Sequence, residues 1–328
     1  MFTHRRNSHW VILDELNLAS QPVLESLNSA FDHRGELFIP ELNRSFKIDT
    51  SRGTRFFACQ NPRIQGGGRK GLPKSFLNRF TRVYCDNLTV IDITKILQKS
   101  HCNISNYFSQ SEKNIDMMRS LTSADILNAD DNTMALAKLV LFNQQVEKLM
   151  KFSGLGAEFN LRDLMRICHL LSVVSLPLRK IFDLVYRSRI RNQSDRDSFE
   201  KLAEEWWNIN FTNFNDQILV TEETVKFPEF SLVRNYEKRQ VCSLEPPVLT
   251  KSFRNLIAQI LTTVKSGWMT QLVGEAGSGK STAVQFCADL IGKRLRQLTL
   301  SSATDVTDLL GKFSILILLF SRNSDEEN

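Results

Sequence analysis

The stretch Gly274-Glu275-Ala276-Gly277-Ser278-Gly279-Lys280-Ser281-Thr282 fits G-x-x-x-x-G-K-[ST] and follows the short apolar run Gln271-Leu272-Val273. Its glycines permit a tight turn that aims several backbone N–H groups at phosphate oxygens, and the N-terminus of a following helix adds partial positive charge. In such a loop Lys280 reaches the β- and γ-phosphates and the Ser281 hydroxyl ligates Mg²⁺. At average residue usage the pattern arises by chance on the order of once in a hundred chains of this length. A strand over 271–273 and a helix over 282–291 supply the context the motif needs. The stretch therefore reads as a phosphate-binding loop, against the alternative of a glycine-rich turn with a solvated lysine.

Moving outward, 251–264 has the apolar spacing of an amphipathic helix leading into the loop, Pro246-Pro247 marks a boundary, and 295–301 reads as the next strand. Residues 191–245 are charged and irregular and read as a connector with some local structure, in which Trp206-Trp207 is a packing cluster. Leu136, Leu139, Val140, Val146, Leu149 and Met150 predict a helix over 134–151. Leu161, Leu164, Met165, Cys168 and Leu171 predict another over 161–171, capped by Asn160, with Arg162, Arg166 and His169 on its opposite face. A basic helix face of this kind is ordinarily just solvated. One more helix fits 181–190, and together these make a small helical domain.

The N-terminal part reads differently. His9-Trp10-Val11-Ile12-Leu13-Asp14-Glu15-Leu16-Asn17 is an apolar run closing in two carboxylates, the pattern of a parallel strand buried on both faces. Its C-terminal end is where ligands bind in open α/β sheets, so Asp14 suits hydrated Mg²⁺ and Glu15 suits proton abstraction from an attacking water. Taken alone, Asp-Glu after a strand also fits a helix cap. Residues 20–31 read as an amphipathic helix and Asp32 to Ile39 as a turn into a hairpin. Phe56-Phe57-Ala58-Cys59 is a second strand ending in Gln60-Asn61-Pro62, where Asn61 either orients a water near the γ-phosphate or makes an Asx turn. Gln65-Gly66-Gly67-Gly68-Arg69-Lys70-Gly71 lacks G-K-[ST] and reads as a basic loop. Pro73 opens a short helix, and Arg79 near its end either complements the helix dipole or serves as an arginine finger.

The composition bounds the rest. At 328 residues and 42% hydrophobic, the chain suggests about two domains with ordinary cores. A net charge of +6 with scattered positive residues permits RNA contact without pointing to it. Cysteines at 59, 85, 102, 168, 242 and 287 form no C-x-x-C pair and read as reduced thiols of a cytosolic or nuclear protein. The longest apolar run, Ile315 to Phe320, is too short to span a bilayer, and no signal peptide opens the chain.

Six stretches together resemble the midasin family, the dynein-related AAA+ ATPases of large ribosomal subunit assembly. They are His9 to Ala19, Gly35 to Glu41, Ala58-Cys59-Gln60-Asn61-Pro62, Ser75-Phe76-Leu77-Asn78-Arg79-Phe80, Phe159-Asn160-Leu161-Arg162-Asp163 and Gly274 to Thr282. The resemblance implies that Asp14 and Glu15 match Walker B, Asn61 sensor 1, Arg79 the arginine finger, Arg162 sensor 2, and Lys280 and Ser281 Walker A. The Asn-Arg-Phe and Asp-Glu-Leu-Asn texts also partly fit MoxR-like or dynein-type ATPases, and a non-hydrolysing nucleotide-binding scaffold module is a further alternative.

Walker B precedes Walker A, whereas one AAA+ module runs from A to B. The expected fold is therefore α/β, with two P-loop NTPase (AAA+) parallel-sheet cores, both incomplete, and a helical lid domain between them. The expected organisation is a core from Walker B to finger at 1–95, a lid at 96–190, a connector at 191–245, the start of a second core at 246–313, and an aberrant or truncated tail at 314–328. On that organisation neither ATP site is whole, and negligible hydrolysis by this polypeptide alone is expected. The resemblance implies ATP and Mg²⁺ as cofactors and other AAA+ modules of the same ring as partners. It further implies pre-60S particles and their assembly factors as substrates, in the nucleolus and nucleoplasm, with no membrane partner.

Overall fold

The protein is described from a computed structural model covering residues 10–32, 35–39, 42–48, 53–62, 70–100, 103–105, 130–152, 159–174, 176–211, 218–228, 230–235, 247–302 and 304. The expectations for Met1 to Ser8, the basic loop at 65–69 and the tail from 305 lie outside the described residues. The chain divides into two units, Met1–Asn87 and Leu88–Asn328.

In the first unit β1 (Trp10–Leu13) pairs in parallel with β4 (Arg55–Ala58), Leu13 standing opposite Ala58. Between them run α1 (Gln21–Phe31) and the antiparallel hairpin of β2 (Glu36–Ile39) and β3 (Arg44–Lys47). A parallel pair cannot be closed by a tight turn, so a crossover of this kind is required. Helix α2 (Lys74–Leu77) follows, with Pro73 as N-cap rather than inside the first turn. Leu16, Leu24 and Phe76 form the buried centre, and Phe31 packs edge-on against Phe56, Phe76 and Phe80. One expectation needs correction: β1 is not buried on both faces. Val11 and Leu13 turn inward, whereas Trp10 and Ile12 are 74% and 67% exposed and Trp10 meets Phe57 at 5.1 Å on the outer face. Successive side chains of a strand point to opposite sides, and among the described residues only one side has a layer packed on it.

The second unit begins with α3 (Val90–Lys99), which the sequence reading passed over. Thr89 and Asp92 form a reciprocal capping box at its start, and the Thr89 hydrogen bonds hold the Asp92 carboxyl below its usual range. Helices α4 (Asp131–Phe152), α5 (Leu161–His169) and α6 (Leu178–Val185) follow, with a π-helical turn, Leu170–Val174, replacing the expected end of the 161–171 helix. The 181–190 helix starts earlier than expected, behind Pro177, and ends in a 3-10 turn, Arg187–Arg189.

The stretch read as an irregular connector contains a 15-residue helix, α7 (Gln193–Trp207). Phe199, Ala203, Trp206 and Trp207 are buried on one side of α7 and join Phe142, Phe182 and Tyr186 in an aromatic cluster. A three-stranded antiparallel meander follows, β5 (Leu219–Val220), β6 (Thr224–Lys226) and β7 (Ser231–Val233). Then come α8 (Lys251–Lys265) and α9 (Lys280–Ile291), joined through the phosphate loop. The expected strands at 271–273 and 295–301 are not ladder strands. A strand is defined by its hydrogen-bonded neighbour, and among the described residues neither segment has one.

Candidate nucleotide site

Lys280 is the first residue of α9, and Gly279 immediately before it takes a left-handed φ of 79° as the N-cap. Gly277 does likewise at 78°, a backbone region that glycine enters at no steric cost. The loop curls so far that the Lys280 Nζ donates to the Gly274 carbonyl at 3.0 Å, the Glu275 carbonyl at 2.6 Å and the Ser278 Oγ at 3.3 Å. A Cβ on Gly274 would fall 3.0 Å from Ser278 Oγ, so the floor of the curve tolerates no larger residue without displacing that side chain. The ammonium thus sits against two loop carbonyls and a serine hydroxyl, at a helix N-terminus whose first N–H groups have no helical partner. That arrangement fits a polyphosphate, with Ser281 one residue further along α9 to offer a hydroxyl to its cation.

The opposite end of α9 is closed by Gly292, at φ 75°. Its core-facing side buries Ala283, Cys287 and Ile291. Burial pushes the Cys287 thiol up to about 12. Phe253 of α8 lies over the loop, 3.6 Å from where a Cβ of Gly279 would stand, and its ring is 6.4 Å from Phe286.

In the first unit the parallel register brings the two strand ends together. Asn61 Nδ2 donates to Glu15 Oε1 at 2.7 Å. Asp14 is exposed, and its Oδ1 accepts the Glu15 N–H at 3.0 Å. Glu15 holds φ 50°, a left-handed conformation that is costly for a glutamate and turns its side chain back over the strand ends. The sequence reading assigned no role to Asn17. It is buried and donates Nδ2 to the Asn61 carbonyl at 2.9 Å, while its own carbonyl accepts the Lys70 N–H at 3.0 Å. Asn17 therefore positions Asn61, which positions Glu15. The signal was a second amide after the strand, in the same text as Asp14 and Glu15.

Arg79 is exposed just past the end of α2, and its Nε donates to Asn28 Oδ1 of α1 at 3.1 Å. Arg162 is exposed in the first turn of α5, its N–H capped by Asn160 Oδ1 at 2.9 Å. Its neighbours on that face are engaged: Arg166 pairs with Asp163 at 3.1 Å and lies 5.9 Å over Trp268, which His169 also meets at 5.8 Å. Asp14, Glu15 and Asn61 thus form one cluster, Gly274 to Thr282 form another in the second unit, and Arg162 belongs to the helical bundle of that unit. Among the described residues no group of His, Cys, Asp and Glu has the arrangement of a metal site, and no helix is long and apolar enough to cross a membrane.

Comparison with known proteins bears on the chain as a whole. The domain family described as the Midasin AAA lid domain matches residues 127–210, which contain α4 to α7. The chain is 34% identical over 96% of its length to Midasin of Dictyostelium discoideum and 31% identical over 96% to Midasin of Giardia intestinalis. It spans 5% and 6% of those two proteins' lengths. A parallel-stranded α/β unit and an AAA lid bundle in one sequence of this similarity make the fold AAA+ in class, and the chain belongs to the midasin family.

Proposed function

We propose that this chain is an ATP-binding segment of a midasin-like AAA+ mechanoenzyme that remodels pre-60S ribosomal particles in the nucleolus and nucleoplasm. The observation that carries the nucleotide reading is the Lys280 ammonium enclosed by the Gly274 and Glu275 carbonyls in front of α9. Those carbonyls are weaker partners for an ammonium than phosphate oxygens, so a triphosphate draws Nζ away from them. Ser281 and the exposed Asp14 supply oxygens suited to Mg²⁺, each in its own unit, and Thr282 extends the row of first-turn amides. Bound ATP supplies the phosphoryl group whose transfer to water drives motion of the ring.

The roles proposed for the other residues follow their placement. Glu15, held by Asn61, is the base, and Asn61 senses the γ-phosphate. Arg79, exposed, reaches nucleotide bound to a neighbouring AAA+ module, and Arg162, exposed at the start of α5, serves as sensor 2. Titration with a fluorescent ATP analogue in the presence of Mg²⁺ tests the reading. Saturable binding is expected for the wild type and loss of roughly a hundredfold in affinity for Lys280→Ala, whose missing charged bonds are each worth about 1.5–3 kcal/mol. Equal affinity in the two proteins would end the proposal.

A further inference from the structure

An α-helix leaves its last four carbonyls without helical partners. In α9 all four are taken. Lys293 N–H donates to Ala288 O at 2.9 Å and Gly292 N–H to Asp289 O at 3.2 Å, the two bonds of a Schellman ending. The other two come from 56 residues upstream: Arg234 Nε donates to Leu290 O at 2.7 Å and Asn235 N–H to Ile291 O at 2.8 Å. The same arginine donates Nη1 to Thr221 O at 2.6 Å and its own N–H to Glu223 O at 2.7 Å. One residue thus ties the end of α9 to the turn between β5 and β6. The fit is close, since a Cβ on Gly292 would stand 2.1 Å from Asn235 O.

The meander is anchored at its far side as well. Val225, Phe227 and Phe230 are buried in the same core as the lid residues Phe199, Trp206 and Trp207, and Phe227 stacks on Phe230 at 4.7 Å. Helix α8 gives α9 a separate connection to the bundle, through Gln259 Nε2 donating to Asp183 Oδ2 of α6 at 3.0 Å. Nothing in phosphate binding requires the distal end of the helix to be held by a strand pair rooted in a lid.

We propose that the β5–β7 meander, through Arg234 and Asn235, clamps the C-terminal end of α9 and makes that helix and the lid open as one cooperative unit. A ligand seated at the N-terminal end of α9 then steadies the lid. Arg234 is a positioning residue, distant in the chain from the loop. The ligand half of this statement rests on the nucleotide reading above; the clamp itself does not.

Two buried thiols report on the helix and the lid: Cys287 in α9, 3% exposed, and Cys168 in α5 of the lid, 1% exposed. Alkylation of the full chain, read peptide by peptide by mass spectrometry, measures how often each is uncovered. Arg234→Ala is expected to accelerate Cys287 and Cys168 by a common factor of about tenfold, the worth of a charged hydrogen bond, leaving the exposed Cys59 and Cys85 unchanged. ATP with Mg²⁺ is expected to slow both buried thiols by a common factor in the wild type. Acceleration of Cys287 alone, or of neither thiol, overturns the clamp. If nucleotide slows nothing in the wild type and the fluorescent analogue does not bind, the nucleotide reading fails, while the comparison without nucleotide still decides the clamp. Should Arg234→Ala not fold, Arg234→Lys carries the test, with a smaller common acceleration expected.

Discussion

Lys138 is the residue whose chemistry least suits its surroundings. It lies fully buried in α4, its Nζ 4.7 Å over the Trp207 ring, and among the described residues neither Nζ nor Trp207 Nε1 has a hydrogen-bond partner. Desolvation lowers its pKa from the ordinary 10.5. Below that lowered value both folded and unfolded chains hold the proton, and stability is flat with pH. Between it and 10.5 the unfolded chain binds more protons, so stability rises with pH across that window. Lys138→Met keeps the volume and removes the charge. It is expected to stabilise the bundle by on the order of 1 kcal/mol at pH 7 and to abolish the rise at alkaline pH, measured by urea unfolding. A less stable variant at pH 7 would mean that the cation–π contact outweighs the desolvation. No sequence pattern marked this lysine, because a charge within an apolar helical repeat looks the same whether the helix is half solvated or enclosed. Asp14, Glu15 and Asn61 were legible as ends of strands. The bond between Glu15 and Asn61 was not, since it depends on which strands are neighbours.

At the scale of elements, the Asn160 cap made the start of α5 readable, whereas α3, with a capping box of its own at Thr89 and Asp92, was passed over. Asn160 accepts the Arg162 N–H, and Asp163 Oδ2 accepts the Asn160 N–H at 3.2 Å, a reciprocal pair that the text Asn160-Leu161-Arg162-Asp163 announces. Asn160→Ala is expected to cost about 1 kcal/mol in a thermal or chemical melt of the lid. The cost should exceed that of an exposed alanine substitution elsewhere on α5, because Asp163 also holds Arg189 at 2.9 Å and would lose part of its alignment. Helix α7 carries Phe199, Leu202, Ala203, Trp206 and Trp207 at full helical spacing, yet its many charged residues disguised it as a connector. The segments at 271–273 and 295–301 failed in the other direction. Apolar runs give strand propensity, but the ladder belongs to a pair, and no composition rule supplies the missing neighbour.

For the molecule as a whole, the apolar surface divides unevenly. The Leu88–Asn328 unit holds a continuous core running from Leu97 to Ile291, whereas the Met1–Asn87 unit packs one side of its parallel pair and presents Trp10, Ile12 and Phe57 on the other. Adjacent exposed apolar side chains on a sheet face favour self-association. Replacing Ile12 by Lys is expected to lower light scattering at a given concentration and to leave the lid's unfolding midpoint unchanged. Unaltered scattering would locate the sticky surface elsewhere. The unequal covering of the two units was not legible in the sequence, since periodicity names the apolar side of a strand without saying what lies against it. The closed end of α9 has an electrical consequence. A helix ordinarily carries opposite partial charges of about half a unit at its two ends, which cancel at a distance. Here the Arg234 guanidinium, bonded to Leu290 O, offsets the negative pole, so the phosphate-loop end acts as an unopposed positive pole on a chain of net charge +6. An approaching polyanion is drawn in from farther away, and its capture rate, more than its residence time, should fall as salt is raised.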